Sequence, residues 1–218
     1  MSSNRIVPVV AISQRVVEEI SRPETRDALD QGWAALLESF GAIVVPVPNL
    51  LVDLERWLST IEPSLIILSG GNDLAHLGTS DASLARDSTE DGLVSYATKN
   101  RTPLLGVCRG MQFLVHSSGG TLTSVTGHVG SSHVVSSVDG DRLWSWSGVR
   151  TVNSFHNWGV APDGLPSTWR ALAVAPDGSI ESIEHKTLPQ FGIMWHPERG
   201  ECDSRDTILI ESLLKMSQ

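Results

Sequence analysis

Short apolar runs, each followed by a segment of helical period, constrain the fold of this chain more than any other feature. Val7–Ile12 (VPVVAI), Ala42–Val47, Leu65–Leu68 and Pro103–Val107 are rich in β-branched and aliphatic residues and too short for helices. They are expected to be buried strands. Between them the period changes. In Thr25–Phe40, Ala28, Leu29, Trp33, Leu36, Leu37 and Phe40 fall on one helical face, and Gly41 follows as a stop. Leu50–Ile61, Thr89–Thr98 (starting a few residues earlier) and Gly110–Ser117 are further helices. This alternation predicts an α/β fold with a mostly parallel central sheet and helices on both faces. The second half differs. Thr121–Val138 and Trp144–Val152 have the pattern of short strands and turns. Arg170–Val174 and Ser179–Glu184 form a hairpin around Pro176-Asp177-Gly178. Gln190–Trp195 is a last strand and Asp206–Met216 a closing helix. A small antiparallel portion is therefore expected there.

At 218 residues, one domain spanning 1–218 is the natural division. No apolar run reaches the roughly 18 residues of a membrane helix, and the MSSNRIVPVVAIS start has no secretory pattern. The net charge of −9 argues against nucleic acid, which requires basic patches. Two cysteines, Cys108 and Cys202, make no disulfide scaffold, and a cytoplasmic setting follows. Cys202 is expected to be a small buried hydrophobe.

Cys108 is different. It sits in Gly106-Val107-Cys108-Arg109-Gly110-Met111-Gln112, with an apolar strand entering and a helix leaving. A nucleophile in such a strand-to-helix turn is exposed above the sheet, and the glycines allow the bend. The helix N-terminus favours a thiolate and offers backbone N–H groups to an oxyanion. A second motif, Gly192-Ile193-Met194-Trp195-His196-Pro197-Glu198, brings a histidine to a strand end. Pro197 keeps the link extended, so His196 and Glu198 point to one side. Glu198 can then orient the imidazole while its other nitrogen faces a thiol. A third, Ser69-Gly70-Gly71-Asn72-Asp73, follows a buried strand, and its glycines free backbone N–H groups for a ligand.

In this order and spacing, the three motifs resemble the class I glutamine amidotransferase family over nearly the whole chain. The resemblance implies a flavodoxin-like fold and a catalytic triad of Cys108, His196 and Glu198. It also implies an oxyanion hole from the N–H groups of Gly71 and Arg109, and a Gln112 that holds the glutamyl end of the substrate. Arg86-Asp87-Ser88-Thr89-Glu90 and Val152-Asn153-Ser154-Phe155-His156 resemble stretches of the γ-glutamyl-γ-aminobutyrate hydrolase branch. Where that branch often carries Gln two residues after the histidine, this chain has Trp158. Ile12-Ser13-Gln14-Arg15, Arg26–Asp30 with Trp33, Ser69–Leu74 and Met194–Arg199 are similar to γ-glutamyl-CDP-amidate hydrolases. That likeness implies a role in phosphoramidate decoration of capsular polysaccharide.

The activity implied is hydrolysis of a γ-glutamyl amide through a thioester, with no cofactor. The alternatives are a γ-glutamyl-γ-aminobutyrate-type hydrolase, a glutaminase subunit feeding ammonia to a synthase, and a non-catalytic binding protein. Expected substrate contacts are Gly70, Asn72, Gln112, Asn153, Ser154, Phe155 and His156, with Arg15 and Arg199 available for a carboxylate or phosphate. Arg86 is a third such arginine. The partner is a small γ-glutamyl molecule, not nucleic acid or membrane; a homodimer stays open. His128, His133 and His156 fit no standard ligand spacing, so no metal is expected. Trp144 and Trp146 should share one face of a strand.

Overall fold

Buried side chains alternate sides along each central strand, so the sheet must be covered twice. Val10 and Ile12 pack in one core and Ala11 in the other; Leu65 and Ile67 oppose Ile66 and Leu68 in the same way. The computed structural model describes residues 7–138, 144 and 146–216. Its first half contains β1 (Val9–Ser13), β2 (Arg15–Glu19), β3 (Glu24–Ala28), α1 (Gln31–Ser39), β4 (Ile43–Val47), α2 (Leu54–Ile61), β5 (Leu65–Leu68), α3 (Leu84–Asn100), β6 (Leu104–Val107) and α4 (Arg109–Ser117). Then follow β7 (Thr123–Ser124), β8 (Val129–Ser137), β9 (Val149–Phe155), β10 (Trp158–Gly159), β11 (Trp169–Val174), β12 (Ile180–His185), β13 (Gln190–Ile193) and α5 (Ser204–Met216).

Among the described residues the main sheet has the order β4-β1-β5-β6-β13-β12-β11-β8-β9. Pairing is parallel from β4 to β13 and antiparallel from β13 to β9. The fold is thus the expected α/β type. The antiparallel portion continues the parallel sheet rather than standing apart. Trp33 and Leu37 of α1 and Leu209, Ile210 and Leu213 of α5 fill one core. Leu58 of α2, Leu93 and Ala97 of α3, and Met111, Leu114 and Val115 of α4 fill the other. No described helix is long and apolar enough to cross a membrane.

The helix expected over Thr25–Phe40 begins only at Gln31, where the Asp30 side chain accepts from Gly32 N at 2.9 Å. Residues 24–28 instead pair with β2 in a separate ribbon. Asp27 explains the change: its carboxylate takes both the backbone and side-chain N–H of Asn49, at 3.0 and 2.7 Å. A tertiary pair of bonds outweighs a helical pattern resting on Ala28 and Leu29. Helix α3 starts earlier than Thr89, capped by Ser83. Its buried face mixes Arg86, Thr89 and Glu90 with Leu93 and Ala97, so apolar period reveals only its second half. Trp144 and Trp146 precede β9 and share no strand; Ser145 lies outside the described residues. Both rings pack against the Arg150 guanidinium, at 5.5 and 5.4 Å, and Arg150 pairs with Asp206 at 2.7 Å.

Helix α4 meets β5 more closely than a side chain allows. A Cβ on Gly110 would lie 2.1 Å from Leu68 O, a backbone atom that cannot step aside. Gly110→Ala is therefore expected to destabilise the fold by about 3 kcal/mol, the upper end of overpacking costs, read as a lower urea midpoint.

Candidate active site

Residues at the carboxyl ends of β5, β6 and β13 converge on one cavity, where open α/β sheets place ligands. Parallel pairing aligns Gly106 with Gly192 and Val107 with Ile193, so Cys108 and the segment leading to His196 leave the sheet side by side. Cys108 N donates to Ile193 O at 2.7 Å. Its backbone has φ 53° and ψ −105°, a conformation side-chain-bearing residues rarely adopt. Strain of this kind costs on the order of 1–3 kcal/mol and persists only where the surroundings over-determine it. Here the β6 ladder, the Ile193 bond and the close seat of Gly110 do so.

His196 is 2% exposed. Asn153 brackets it, accepting from His196 N at 2.8 Å and donating to His196 O at 2.9 Å. Nδ1 lies 2.7 Å from Glu198 Oε1, which leaves the other ring nitrogen for the thiol. Burial works against the imidazolium, but hydrogen bonds to Cys108 and Glu198 outweigh it and push His196 up to about 9. Gly70 makes room for the ring: a Cβ there would lie 2.5 Å from His196 Cε1.

The loop after β5 is held from behind. Arg86, fully buried, donates to Ser69 O at 2.6 Å, to Gly70 O at 3.1 Å and to Gly71 O. It also pairs with Glu90 at 2.9 Å. Glu90 and Asp87 both bond the Arg109 side chain, and Ser13 Oγ donates to Glu90 at 2.8 Å. Burial and the nearby Arg109 pull Arg86 down to about 10, still charged at neutral pH. Burial raises Glu90, but the two arginines prevail and hold it below the usual carboxylate range. Arg86 is thus committed to the loop and does not line the cavity.

The other expected contacts divide. Gly71, Gln112, Phe155, His156, Arg15 and Arg199 line the cavity with Cys108 and His196. Trp158, Asn157, Asp73 and Asp81 line it too; of these, sequence singled out only Trp158. Gln112 Nε2 donates to Trp158 O at 2.8 Å. Asn72 borders the cavity, but its side chain holds both the N and O of Val16 and reaches Asp81, which anchors the β2–β3 ribbon. Asn153 works behind His196, as above. Ser154 needs correction as a contact: it is fully buried, and its hydroxyl donates to His128 O at 2.6 Å. Next to this cavity lies a second, lined by Leu29, Asp30, Trp33, Gly70 and Glu198; Arg15, Gly71 and Arg199 border both. Arg15 and Arg199 keep side-chain exposures of 47% and 36%, with long ion pairs from Arg15 to Asp81 (3.8 Å) and from Arg199 to Asp30 (3.6 Å) and Glu198 (3.7 Å); Arg199 also lies over the Phe155 ring at 4.7 Å. They remain available to an anion.

The three histidines judged by spacing along the chain also need correction, because folding brings His128, His133 and His156 together with Glu181. Burial, aided by His128, pushes His156 down to about 4. Burial and the Asp177 charge push Glu181 up to about 8.

Residues 6–198 match the Peptidase C26 family. The γ-glutamyl-CDP-amidate hydrolase of Campylobacter jejuni is 31% identical over 94% of this chain and 98% of its own length. In fold, a Thermoplasma acidophilum protein superposes with a TM-score of 0.71 at 17% identity, covering 97% of this chain and 94% of that one. A glutamine amidotransferase of Thermotoga maritima does so at 0.65 and 18%, covering 97% and 90%. With that family matched along most of its length and a relative so similar end to end, this chain belongs to the Peptidase C26 family.

Proposed function

We propose that this chain hydrolyses a γ-glutamyl amide whose nitrogen carries a nucleotide-linked phosphate group, with Cys108 as nucleophile. The observation that carries this reading is the pair Arg15 and Arg199, standing where the Cys108 cavity joins the second cleft. The glutamyl group would enter beside Gln112 and Trp158, and the leaving group would lie past the two arginines. Guanidinium groups bind phosphate through two parallel hydrogen bonds, in a chain whose net charge of −9 would otherwise repel an anion. The similarity to the Campylobacter jejuni enzyme over the full length supports the same substrate class.

The geometry supports the following chemistry. The Cys108 thiolate, at the positive end of α4, attacks the side-chain carbonyl. Protonated His196 gives its proton to the departing amine, and Glu198 holds the ring in place. A thioester remains. His196 then takes a proton from water as its oxygen attacks, and glutamate leaves with the thiolate restored. The oxyanion of each step would be met by two backbone groups. Arg109 is the first residue of α4, so its N–H has no partner within the helix. The Gly70 carbonyl faces Arg86; in a planar trans peptide the Gly71 N–H then points the opposite way, and Gly71 borders the Cys108 cavity. Such donors act without reorganisation during the reaction.

Cys108→Ala is expected to abolish turnover by the purified chain, on the order of 10⁶-fold, while Cys202→Ala stays within a few-fold. Substantial activity in folded Cys108→Ala would overturn the mechanism. The pH profile of kcat/KM gives a second check. His196 keeps its proton up to about 9, so the rate should hold to alkaline pH and fall as pH rises past that point. Glu198→Gln removes the charge that helps hold the proton, so the alkaline limb should move to lower pH; an unmoved limb would take His196 out of the rate. The substrate is tested by competition among glutamine, γ-glutamyl-γ-aminobutyrate and γ-glutamyl-CDP-amidate. The last should have the highest kcat/KM. Arg15→Ala should reduce its value about 10-fold or more, the scale of one charged hydrogen bond, and leave glutamine nearly unchanged. Equal losses on both would mean that Arg15 serves the fold.

A further inference from the structure

We propose that His128, His133, His156 and Glu181 form a four-coordinate zinc site beside the active-site cavity. Their ligand atoms all lie within 4.8 Å of one another. His128 Nδ1 is 3.5 Å from Glu181 Oε1, His156 Nε2 is 3.6 Å from the same oxygen, and His133 Nε2 is 3.6 Å from Oε2. These separations are too long for hydrogen bonds. They approach the edge of a zinc tetrahedron, about 3.3–3.4 Å for bonds of about 2.0–2.1 Å.

The polar bookkeeping points the same way. His128 Nδ1, His133 Nε2, His156 Nε2 and Glu181 Oε2 are all buried and without a hydrogen-bond partner, in a protein interior where such groups are normally satisfied. The side chains of His156 and Glu181 are each 1% exposed. The opposite ring nitrogens are all engaged: His128 Nε2 with Asp177 Oδ2 at 3.0 Å, His133 Nδ1 with Val134 O at 3.3 Å, and His156 Nδ1 with Trp158 O at 3.0 Å. Carboxylate and carbonyl acceptors behind metal-bound imidazoles fix the ring and its tautomer in this way. The rings are tilted at 60° and 53°, not stacked, as imidazoles aimed at one point must be.

Three imidazoles and one carboxylate suit zinc rather than magnesium or calcium, which prefer oxygen ligands. Four protein ligands close the shell, so the ion would be structural. It would tie the start of β8 and the residue after β9 to β12, and through His156 it would steady the Trp158 wall of the cavity. The ion would take no chemical part in the reaction proposed for Cys108.

The test is metal content and affinity of the full chain. After dialysis against metal-free buffer, the wild type should retain one zinc per chain, and so should Cys108→Ala. Cobalt(II) should replace it with the visible bands of a four-coordinate site and without thiolate-to-metal charge transfer. Asp177→Ala should weaken zinc binding about 10- to 100-fold, the usual effect of losing an outer acceptor. His133→Ala and Glu181→Gln should weaken it further, and zinc should raise the Tm of the wild type but not of these variants. No retained zinc, zinc held equally by His133→Ala and Glu181→Gln, or zinc lost with Cys108→Ala would each overturn the proposal. If the variants fail to fold, the cobalt spectrum of the wild type decides: six-coordinate or thiolate bands refute the site.

Discussion

The buried guanidinium of Arg86 is the contact on which the reactive end of the sheet depends. A fully buried charge is tolerated only when paired and hydrogen-bonded, and Arg86 finds its partners in Glu90 and in the carbonyls of Ser69, Gly70 and Gly71. Glu90 and Asp87 also hold Arg109, so two cations meet two carboxylates. Ser13 joins through Glu90 and through Ser69, whose backbone N–H donates to Ser13 Oγ at 3.0 Å. One charge-balanced, largely buried network thus clamps the ends of β1 and β5 and the first residue of α4. Its effect is directional: loop carbonyls turned back toward α3 leave loop N–H groups turned forward.

That clamp explains why the glycines sit where they do. Gly70 faces His196, and Gly110 lies on Leu68; a methyl group at either place would overlap its neighbour, at 2.5 and 2.1 Å. On the other side of the cavity, Asn153 fixes His196 through both of its backbone groups. Cys108 and His196 are therefore held by different elements, α4 with β5 and β13 with β9. Their relative position is set by the β6–β13 ladder, which is fully buried.

Sequence made the parallel half legible because its signals are local. A strand of four aliphatic residues followed by glycines, as at Leu65–Gly71, needs no partner to be recognised. The same holds for Cys108 between Gly106 and Gly110, and for His196 two residues from Glu198. The β2–β3 ribbon was not legible, because it depends on Asp27 reaching Asn49 and on Asn72 reaching Val16, bonds between residues far apart in the chain. Arg86 and Arg15 look alike in sequence. Burial separates them: one is enclosed by backbone carbonyls, and the other is half exposed at the cavity edge. Asn153 and Ser154 are neighbours on a strand and so face opposite ways. One braces His196 and the other turns into the protein, a division that no motif of adjacent residues reveals.

The antiparallel extension poses the converse problem. Its strands carry few large apolar residues; β8 reads Val-Gly-Ser-Ser-His-Val-Val-Ser-Ser, and its register with β11 is short, Ser137 with Ala173 and Ser136 with Val174. Hydrophobic burial alone gives such strands little reason to hold one register. Polar side chains supply it. Ser154 bonds His128 O, His156 N donates to the same carbonyl at 3.0 Å, and the imidazoles gather around Glu181. The Trp158 carbonyl then joins this polar centre to the cavity, since it accepts from His156 on one side and from Gln112 on the other. A shift of β8 or β12 would move His128 or Glu181, reach Trp158 through His156, and alter the wall against which Gln112 is set. The position of that wall is thus governed by a cluster of four polar residues rather than by the apolar core, and its geometry is only as fixed as the partners those residues find.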